Sequence, residues 1–255
     1  MSNKMFCFQC EQSAGCTGCT GAAGVCGKSA AAANLQDELT GSLIGLARAA
    51  EHAEPSSRTH RIMTEGLFTT ITNVNFNEET LRKQVETVRR EKELLLAQKE
   101  TNFIENATTC HTPSNPDVNI EDYDMKNLWN ADEDIRSLKS LILFGLRGMA
   151  AYAYHAMVLG YTDDAVNAFF YEGLRAVGDT LSMEQLLPVV LKVGEINLKC
   201  MALLDQANTE TYGNPEPTSV PLTVEKGPFI VITGHDLKDL ELLLQQTEGK
   251  GINIY

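Results

Sequence analysis

Residues 7–26 read CFQCEQSAGCTGCTGAAGVC, and five of the seven cysteines of the chain lie within this stretch. They form two C-x2-C pairs and one single cysteine: Cys7 with Cys10, Cys16 with Cys19, and Cys26. Glycine recurs among them, and its backbone freedom lets the chain come close to a bulky inorganic group. Five closely spaced thiols are therefore typical of a metal or cluster site in a reducing compartment, rather than of a disulfide framework.

Three kinds of site could use these thiols. A structural zinc ion takes four of them, but only five residues separate the two C-x2-C pairs, whereas zinc sites usually leave about 12 or more. A dithiol redox site uses one pair and leaves the other cysteines without a role. An iron–sulfur cluster uses four thiolates in a glycine-rich loop, and the pattern favours this third kind of site.

The composition of the whole chain limits the classes of partner that it can bind. Its 255 residues are 43% hydrophobic, which permits a substantial core, and they carry a formal net charge of −13. Such a charge disfavours binding to nucleic acid or to an anionic membrane surface, because both attract clustered Lys and Arg. The sequence begins without the apolar stretch of a secretory signal and has no run of about 18 consecutive apolar residues. We therefore expect a soluble cytoplasmic protein with no nucleic-acid or membrane partner.

Beyond the cysteine-rich stretch, apolar residues recur at three- and four-residue steps, which predicts helices. The first begins near Asn34, the second contains Leu67, and the third is capped by Asn77 and extends to about Gln98. A polar segment rich in Pro, Asn and Asp follows and is typical of a linker. Three further helices are predicted over residues 134–159, 162–176 and 182–207.

The two sets of helices resemble an internal repeat. The matching positions are Gly45-Leu46 with Gly145-Leu146, Glu65-Gly66-Leu67 with Glu172-Gly173-Leu174, and the helix start at Asn77 with the one at Ser182. Their offsets of 100, 107 and 105 residues match whole three-helix units with small differences in the loops. We therefore predict two three-helix bundles.

The character of the sequence changes after residue 215. Residues 228–233 read PFIVIT, a short β-branched run suited to a buried parallel strand. A turn at Gly234, a helix over residues 237–248 and a second strand over 251–255 follow it, which is the order of a β–α–β unit. One such unit leaves the faces of its sheet uncovered, so we expect the protein to continue beyond Tyr255.

These patterns together predict a mainly α fold that ends in the start of an α/β (Rossmann-like) domain. We assign the cysteine-rich cluster loop to residues 1–28 and the first three-helix bundle to 29–105. The linker takes residues 106–130, the second three-helix bundle 131–215, and the incomplete α/β domain 216–255.

Short segments along the chain resemble those of one known family. Near the N-terminus these are MFCFQCEQ at 5–12, TGCT at 17–20 and GVCGK at 24–28. Further along they are NLQD at 34–37, DIRSL at 134–138, GMAAYA at 148–153, ANT at 207–209, TYGNP at 211–215 and TGHDLKD at 233–239. The sequence resembles the hybrid cluster protein family in all of them; its members are also called prismane proteins or hydroxylamine reductases. The resemblance covers essentially the whole chain.

The resemblance implies a ligand set for an N-terminal iron–sulfur cluster: Cys7, Cys10, Cys19 and Cys26, with Cys16 as a spare thiol. The eight-residue gap between Cys10 and Cys19 is similar to that of members with a [4Fe–4S] cluster. The six-residue gap between Cys19 and Cys26 is similar to that of members with a [2Fe–2S] cluster. We expect [4Fe–4S] and keep [2Fe–2S] as the alternative.

The resemblance also implies a second, hybrid [4Fe-2O-2S] cluster in a full-length chain, with His235 as its first iron ligand and the other ligands beyond Tyr255. The implied reaction is the reduction of hydroxylamine to ammonia and water, with nitric oxide as another small nitrogen-oxide substrate. An external electron-donor protein would supply the electrons. This chain alone is expected to lack that activity, and the alternative function is a non-catalytic iron–sulfur electron-transfer module.

Three other residues have plainer expected roles. His155 lies near a helix end among alanines and is expected to pack or cap. Cys200 lies beside Met201 on a predicted helix and is expected to be a small buried apolar residue. Cys110 lies in the polar linker and is expected to be solvated.

Overall fold

Eight helices and two short strands form the part of the chain that the computed structural model describes: residues 5–10, 17–106, 120–234 and 236–255. The helices before residue 120 are α1 (Ala30–Ala49), α2 (Ser57–Thr69) and α3 (Glu78–Asn106). They are followed by α4 (Met125–Trp129), α5 (Glu133–Val158), α6 (Asp164–Gly178) and α7 (Met183–Tyr212). The chain then forms β1 (Phe229–Ile230), α8 (Leu237–Thr247) and β2 (Asn253–Ile254).

Several helices begin at polar side chains that accept hydrogen bonds from the first free backbone N–H groups. The side chain of Ser29 accepts from the N–H of Ala32 at the start of α1. Ser56 and Thr59 form a reciprocal capping box at the start of α2. The side chain of Asn77 accepts a backbone N–H at 3.0 Å, so the predicted cap of α3 is confirmed.

The six predicted long helices are confirmed, although their ends differ from the prediction. Helix α1 begins at Ala30 because Ser29 caps it, and α3 continues to Asn106. Helix α4 has five residues, too few for a periodic signal, and it lies inside the segment assigned to a linker. Residues 107–119 of that segment lie outside the described part of the chain. The domain boundaries stay a prediction.

One hydrophobic core is shared by α1, α2, α3, α5, α6 and α7. Helix α1 packs along α3 and α5 packs along α7, while α2 also contacts α5 and α1 also contacts α6. The repeat is visible at two glycines. A Cβ at Gly66 would lie 2.8 Å from the side chain of Leu43, and a Cβ at Gly173 would lie 2.9 Å from that of Leu146. In each set the second helix therefore approaches the first one closely at a glycine.

Arg48 on α1 joins the two helix sets. Its guanidinium donates to the carbonyl oxygen of Gly178 at 2.8 Å and to that of Glu121 at 3.0 Å. It also donates to the carboxylate of Asp179 at 3.1 Å. Because a guanidinium offers five N–H donors in a fixed fork, one side chain can link α1, the end of α6 and the segment before α4.

The segment before α4 packs on α1 and α3. The N–H of Tyr123 donates to the carbonyl of Gly41 at 3.1 Å, and a Cβ at Gly41 would collide with the Tyr123 carbonyl. Asp122 accepts from Arg89 at 2.9 Å and from Lys92 at 2.6 Å. Burial raises the pKa of Asp122, but the hydrogen bonds from Lys92 and Arg89 outweigh burial and hold that pKa below its usual range. Part of the predicted linker is therefore a packed element.

Strands β1 and β2 pair in parallel, with Phe229 opposite Asn253, and α8 connects them as predicted. The strand predicted within residues 228–233 is shorter than expected, and the prediction that it is buried is wrong. Phe229 is 62% exposed and Val231 is 65% exposed. Among the residues described here the sheet has two strands, and so small a sheet cannot bury the side chains of its own strands.

Helix α5 is long and apolar enough to cross a membrane when judged by length and composition alone. Lys139 and Arg147 interrupt its apolar residues. A search for about 18 consecutive apolar residues therefore does not find this helix. Both cations are buried in the structure, and the helix packs against α2, α6 and α7.

Candidate metal centre

The cysteine-rich loop has two arms that are joined at Cys7 and Cys19. The N–H of Cys7 donates to the carbonyl of Cys19 at 3.1 Å, and the N–H of Cys19 donates to the carbonyl of Cys7 at 2.8 Å. In such an antiparallel pair the two Cβ atoms lie about 4.5–5.5 Å apart on the same face. The loop therefore presents two thiols from distant positions of the sequence side by side.

Gly18 allows this pairing, because both its backbone conformation and its surroundings exclude a side chain. Its φ is +76°, a left-handed value that residues with a Cβ rarely adopt. A Cβ at this position would lie 3.0 Å from the ring of Phe6 and 3.2 Å from the carbonyl oxygen of Cys7. The residue next to Cys19 is thus fixed as glycine by packing as well as by conformation.

Cys26 lies in a tight turn at the end of the loop. The N–H of Gly27 donates to the carbonyl of Gly24 at 2.9 Å, and the N–H of Gly24 donates to the carbonyl of Lys28 at 2.8 Å. A Cβ at Gly24 would lie 3.5 Å from the Cys26 sulfur. The Cys26 thiol is exposed, whereas Cys10 and Cys19 are half-buried and Cys7 is buried.

An aromatic cluster holds the first arm of the loop on α4. The ring of Trp129 lies 5.1 Å from that of Phe6 and 5.0 Å from that of Phe8, measured between centroids. The guanidinium of Arg136 lies 4.8 Å from the centre of the Trp129 ring and donates to the Trp129 carbonyl at 3.1 Å. These contacts combine aromatic packing with a cation–π interaction, and they fix the residues on either side of Cys7.

Lys28 is buried behind the loop, with 2% of its surface exposed. Its Nζ lies 3.8 Å from Sγ of Cys7 and donates to Oε1 of Gln9 at 2.9 Å. The amide of Gln9 in turn donates to Asp37 on α1 at 2.6 Å. Burial raises the pKa of the Cys7 thiol, while the backbone N–H of Gln9 and the charge of Lys28 act in the opposite direction. Lys28 therefore favours the thiolate that a metal requires.

Arg147 on α5 is a second buried cation at this site, 3% exposed. Its Nε donates to the hydroxyl of Thr70 and its Nη2 to the hydroxyl of Thr40, both at 3.0 Å. Its Nη1 is buried and has no hydrogen-bond partner among the described residues. Burial lowers the pKa of Arg147 to about 10, and burial raises the pKa of Asp37 to about 6.

A small cavity of about 170 Å³ separates Arg147 from the loop. Its lining consists of Gln9, Cys10, Ile71, Thr72, Phe144, Arg147 and Gly148. Cys10 faces this cavity from the loop side, and Arg147 faces it from α5. The second thiol of the first C-x2-C pair is therefore also near a buried positive charge.

The structure brings some of the predicted site residues together and leaves others outside its description. Cys7 and Cys19 are paired, and Cys10 and Cys26 lie in the same loop. Within residues 5–10, 17–106, 120–234 and 236–255, no three His, Cys, Asp or Glu side chains form a ready metal-binding group. Cys16, Cys110 and His235 lie outside the described residues. The donor chemistry fits an anionic thiolate-bound group, because buried cations adjoin Cys7 and the cavity at Cys10.

His155 has a contact that sequence reasoning missed. Its Nδ1 lies 3.3 Å from the carboxylate of Asp236, the residue after His235. Its ring also contacts that of Phe68, with centroids 5.7 Å apart, so the predicted packing role is confirmed but incomplete. A cavity of about 530 Å³ lies beside this pair, between α5 and the loop after β1. No spacing rule links residues so far apart in the chain.

Cys200 is confirmed as a buried apolar residue. It has no exposed surface, and its thiol donates weakly to the carbonyl of Met149 at 3.4 Å. Burial raises the pKa of Cys200 to about 12, so this thiol is inert at neutral pH.

The sequence profile of the Prismane/CO dehydrogenase family matches residues 5–255 of this chain. Three similar proteins named hydroxylamine reductase illustrate the relationship. The one from Porphyromonas gingivalis is 46% identical over 100% of this chain and 48% of its own length. Those from Halothermothrix orenii and Methanocella arvoryzae are each 45% identical over 98% of this chain, and over 48% and 49% of their own lengths. The chain thus spans about half the length of the curated relatives it matches.

Proposed function

The chain belongs to the Prismane/CO dehydrogenase family, and we propose that it is the cluster-binding part of an iron–sulfur oxidoreductase that reduces hydroxylamine. The family match confirms the resemblance that the sequence motifs indicate. The substrate class comes from the relatives named hydroxylamine reductase. The observation that carries the proposal is the pairing of Cys7 with Cys19 beside the buried amine of Lys28.

The proposed cluster ligands are the thiolates of Cys7, Cys10, Cys19 and Cys26, with Cys16 as a spare thiol. Their support is chemical, because all four belong to one glycine-rich loop of the kind that iron–sulfur clusters use. The gap between Cys10 and Cys19 favours [4Fe–4S], and the gap between Cys19 and Cys26 keeps [2Fe–2S] as the alternative. Either cluster, when bound, supplies one-electron transfer.

The remaining residues of the loop orient and shield these thiolates. Nζ of Lys28 points a positive charge at Sγ of Cys7. Phe8 packs on Trp129 and keeps water from the inner side of the loop. The outer side ends at the exposed Cys26, where an external electron-donor protein would reach the site.

His235 is proposed as the first iron ligand of the hybrid [4Fe-2O-2S] cluster of a full-length chain. In the sequence it comes after β1, and α/β domains bind their ligands beyond the carboxyl ends of their parallel strands. The side chain of Asp236 caps α8 by accepting from the N–H groups of Lys238 and Asp239. The assignment of residues 216–255 to the start of an α/β (Rossmann-like) domain belongs to the same proposal.

The proposed setting is the cytoplasm, with a small nitrogen-oxide substrate and with no nucleic-acid or membrane partner. The formal net charge of −13 supports the last two points, because it repels both nucleic acid and anionic lipid surfaces.

The second candidate function is a non-catalytic electron-transfer module. It is supported by the location of the candidate cluster site: among the described residues, its thiols lie in the cysteine loop and do not surround a cavity that would hold a substrate. An anaerobic assay with reduced viologen as donor separates the two, when this chain is compared with a version extended through the remaining ligands that the family implies. Ammonia formation from hydroxylamine by the extended version, lost in its Cys7→Ser variant, supports the oxidoreductase. Reversible reduction without turnover in either version supports the module, and equal turnover by both would assign the catalytic centre to these 255 residues.

A further inference from the structure

Two buried cations lie beside the thiols of the cysteine loop. Lys28 and Arg147 have 2% and 3% of their surface exposed. Lys28 approaches the loop at Cys7, and Arg147 approaches it across the cavity at Cys10. A buried charge is costly to a fold unless an opposite charge compensates it.

The described residues offer less negative charge than these cations need. Neither Lys28 nor Arg147 forms an ion pair with a carboxylate in the described part of the chain; their donors meet an amide oxygen, a sulfur and two threonine hydroxyls. Asp37 is hydrogen-bonded to Lys28 through Gln9, and its carboxylate attracts both Lys28 and Arg147 without forming a direct hydrogen bond to either. Among the described residues one carboxyl group therefore stands against two cations, and an anionic group bound at the loop would compensate the remaining positive charge.

One donor of the Arg147 guanidinium is unused. Nη1 of Arg147 is buried and without a hydrogen-bond partner in residues the structure describes. Arg147 and Cys10 line the same cavity. A thiolate-bound group at the loop would receive this charge on one side and the charge of Lys28 on the other.

We propose that Lys28 and Arg147 are positioning residues that hold the reduction potential of the cluster at a higher value than the loop alone would give. The inference rests on the proposed function, since it takes the four-cysteine cluster as given. A cluster held by four thiolates is an anion, and one electron from a donor makes it more negative by one charge. A nearby buried cation stabilises the reduced form more than the oxidised form, because charges interact strongly away from water.

The experiment is an anaerobic redox titration of the iron–sulfur signal, followed by electron paramagnetic resonance. Lys28→Met removes one charge with little change of shape, and Lys250→Met removes an exposed lysine as a control for overall charge. We expect Lys28→Met to lower the reduction potential of the cluster. The equilibrium should shift at least tenfold toward the oxidised form, which corresponds to about 59 mV for one electron. Lys250→Met is expected to leave the potential unchanged.

Arg147 provides an independent pair of variants. Arg147→Met is expected to lower the potential as Lys28→Met does, whereas Arg147→Lys keeps the charge and is expected to stay near the wild type. An unchanged potential in Lys28→Met, or equal shifts in Arg147→Met and Arg147→Lys, would overturn the inference while leaving the proposed function intact. Both Met variants could also fold but lose the cluster. If Arg147→Lys then keeps it, the need for a positive charge beside the cluster is supported. If Arg147→Lys loses the cluster as well, the inference is overturned. A wild-type protein without iron and sulfide would instead overturn the proposed function, and this inference with it.

Discussion

At the residue scale, the candidate ligands lie in different surroundings. Cys7 is buried next to Lys28, and Cys26 is exposed at a glycine turn. Because burial raises the pKa of the Cys7 thiol, its thiolate depends on the neighbouring positive charge or on a bound metal. Cys26 is exposed instead, so the inner and outer ends of the loop differ in their access to solvent.

Serine substitutions test the ligand assignment. A serine hydroxyl keeps the size of the side chain but is a poor ligand for iron. Cys7→Ser, Cys10→Ser, Cys19→Ser and Cys26→Ser are each expected to abolish the cluster or make it labile, whereas Cys16→Ser keeps nearly all the iron. The measurement is iron and acid-labile sulfide per chain in anaerobic preparations. Loss of the cluster in Cys16→Ser together with its retention in Cys19→Ser would show that the assignment is wrong.

Gly18→Ala tests the conformation of the loop. The substitution places a Cβ at φ +76° and 3.0 Å from the Phe6 ring, and the left-handed conformation alone costs roughly 1–2 kcal/mol for a residue with a side chain. We expect faster iron release to a chelator, since the adjacent Cys19 loses its fixed position. Gly194→Ala is the matched control, because it lies in α7 with open space around it. Equal iron release by the two variants would exclude this role of Gly18.

The sequence predicts the thiols of the site but not its cations. Cysteine spacing is a local property, and it points to the five thiols of residues 7–26 without any knowledge of packing. The choice of Cys7, Cys10, Cys19 and Cys26 among them is what the family resemblance implies. Lys28 and Arg147 are single charged residues that no spacing pattern marks in the sequence. Their burial is known only from the fold. The proximity of Arg147 to the loop depends on how α5 packs against α2, which no local pattern specifies.

At the element scale, α4 is the support of the cysteine loop. Trp129→Ala removes two ring contacts worth about 0.5–1.5 kcal/mol each. Iron release is therefore expected to rise about tenfold, the factor that corresponds to 1.4 kcal/mol, while the helix content seen by circular dichroism stays unchanged. Trp129→Phe keeps a ring and serves as the control. An unchanged release rate in Trp129→Ala would mean that the loop does not depend on α4.

The segment before α4 gives a prediction about pH. The folded pKa of Asp122 lies below its unfolded value, so its contribution to stability is present above about pH 4 and is lost as the pH falls through the folded pKa. Asp122→Asn is expected to lower the free energy of unfolding by about 1.5–3 kcal/mol at pH 7, with a smaller difference at pH 3. Urea unfolding at the two pH values measures this. Glu93→Gln, on the exposed face of α3, is the control, and a pH-independent loss in Asp122→Asn would contradict the account.

Periodicity and capping predict the long helices because both signals are local. Leu35, Leu39 and Leu43 follow a helical period, and all three are buried in the core. Helix α4 escapes the same reasoning because five residues give less than two turns, and it is held by tertiary contacts: Met125 and Leu128 are buried in the core. The length of β1 also escapes it, since the extent of a strand depends on its neighbours in the sheet.

At the scale of the whole molecule, the internal repeat predicts two similar sets of three helices but not their shared core. The corresponding glycines Gly66 and Gly173 are visible in the sequence, yet their contacts with Leu43 and Leu146 are known only from the fold. Arg48 shows the same limit, because its acceptors lie far along the chain. Contacts between the sets follow from the three-dimensional packing of complementary surfaces, which a single sequence does not encode locally.

The exposed apolar side chains around β1 predict self-association. Leu222 is 99% exposed and Val231 is 65% exposed, and contiguous apolar surface drives proteins together. Leu222→Ser combined with Val231→Thr is expected to shift the chain toward monomer in light scattering, with an unchanged unfolding temperature of the helical core. Val231→Ile keeps the apolar surface and is expected to behave like the wild type. Unchanged association in the polar double variant would remove this surface as the cause.

The central claim is that the loop of residues 7–26 holds an iron–sulfur cluster, and metal analysis of anaerobically purified, natively produced protein tests it most directly. Iron, zinc and acid-labile sulfide are measured per chain, together with the electron paramagnetic resonance of the reduced protein. The account predicts brown protein with about four irons and matching sulfide, as in a [4Fe–4S] cluster, while about two irons would select [2Fe–2S]. Stoichiometric zinc with negligible iron and sulfide would contradict it.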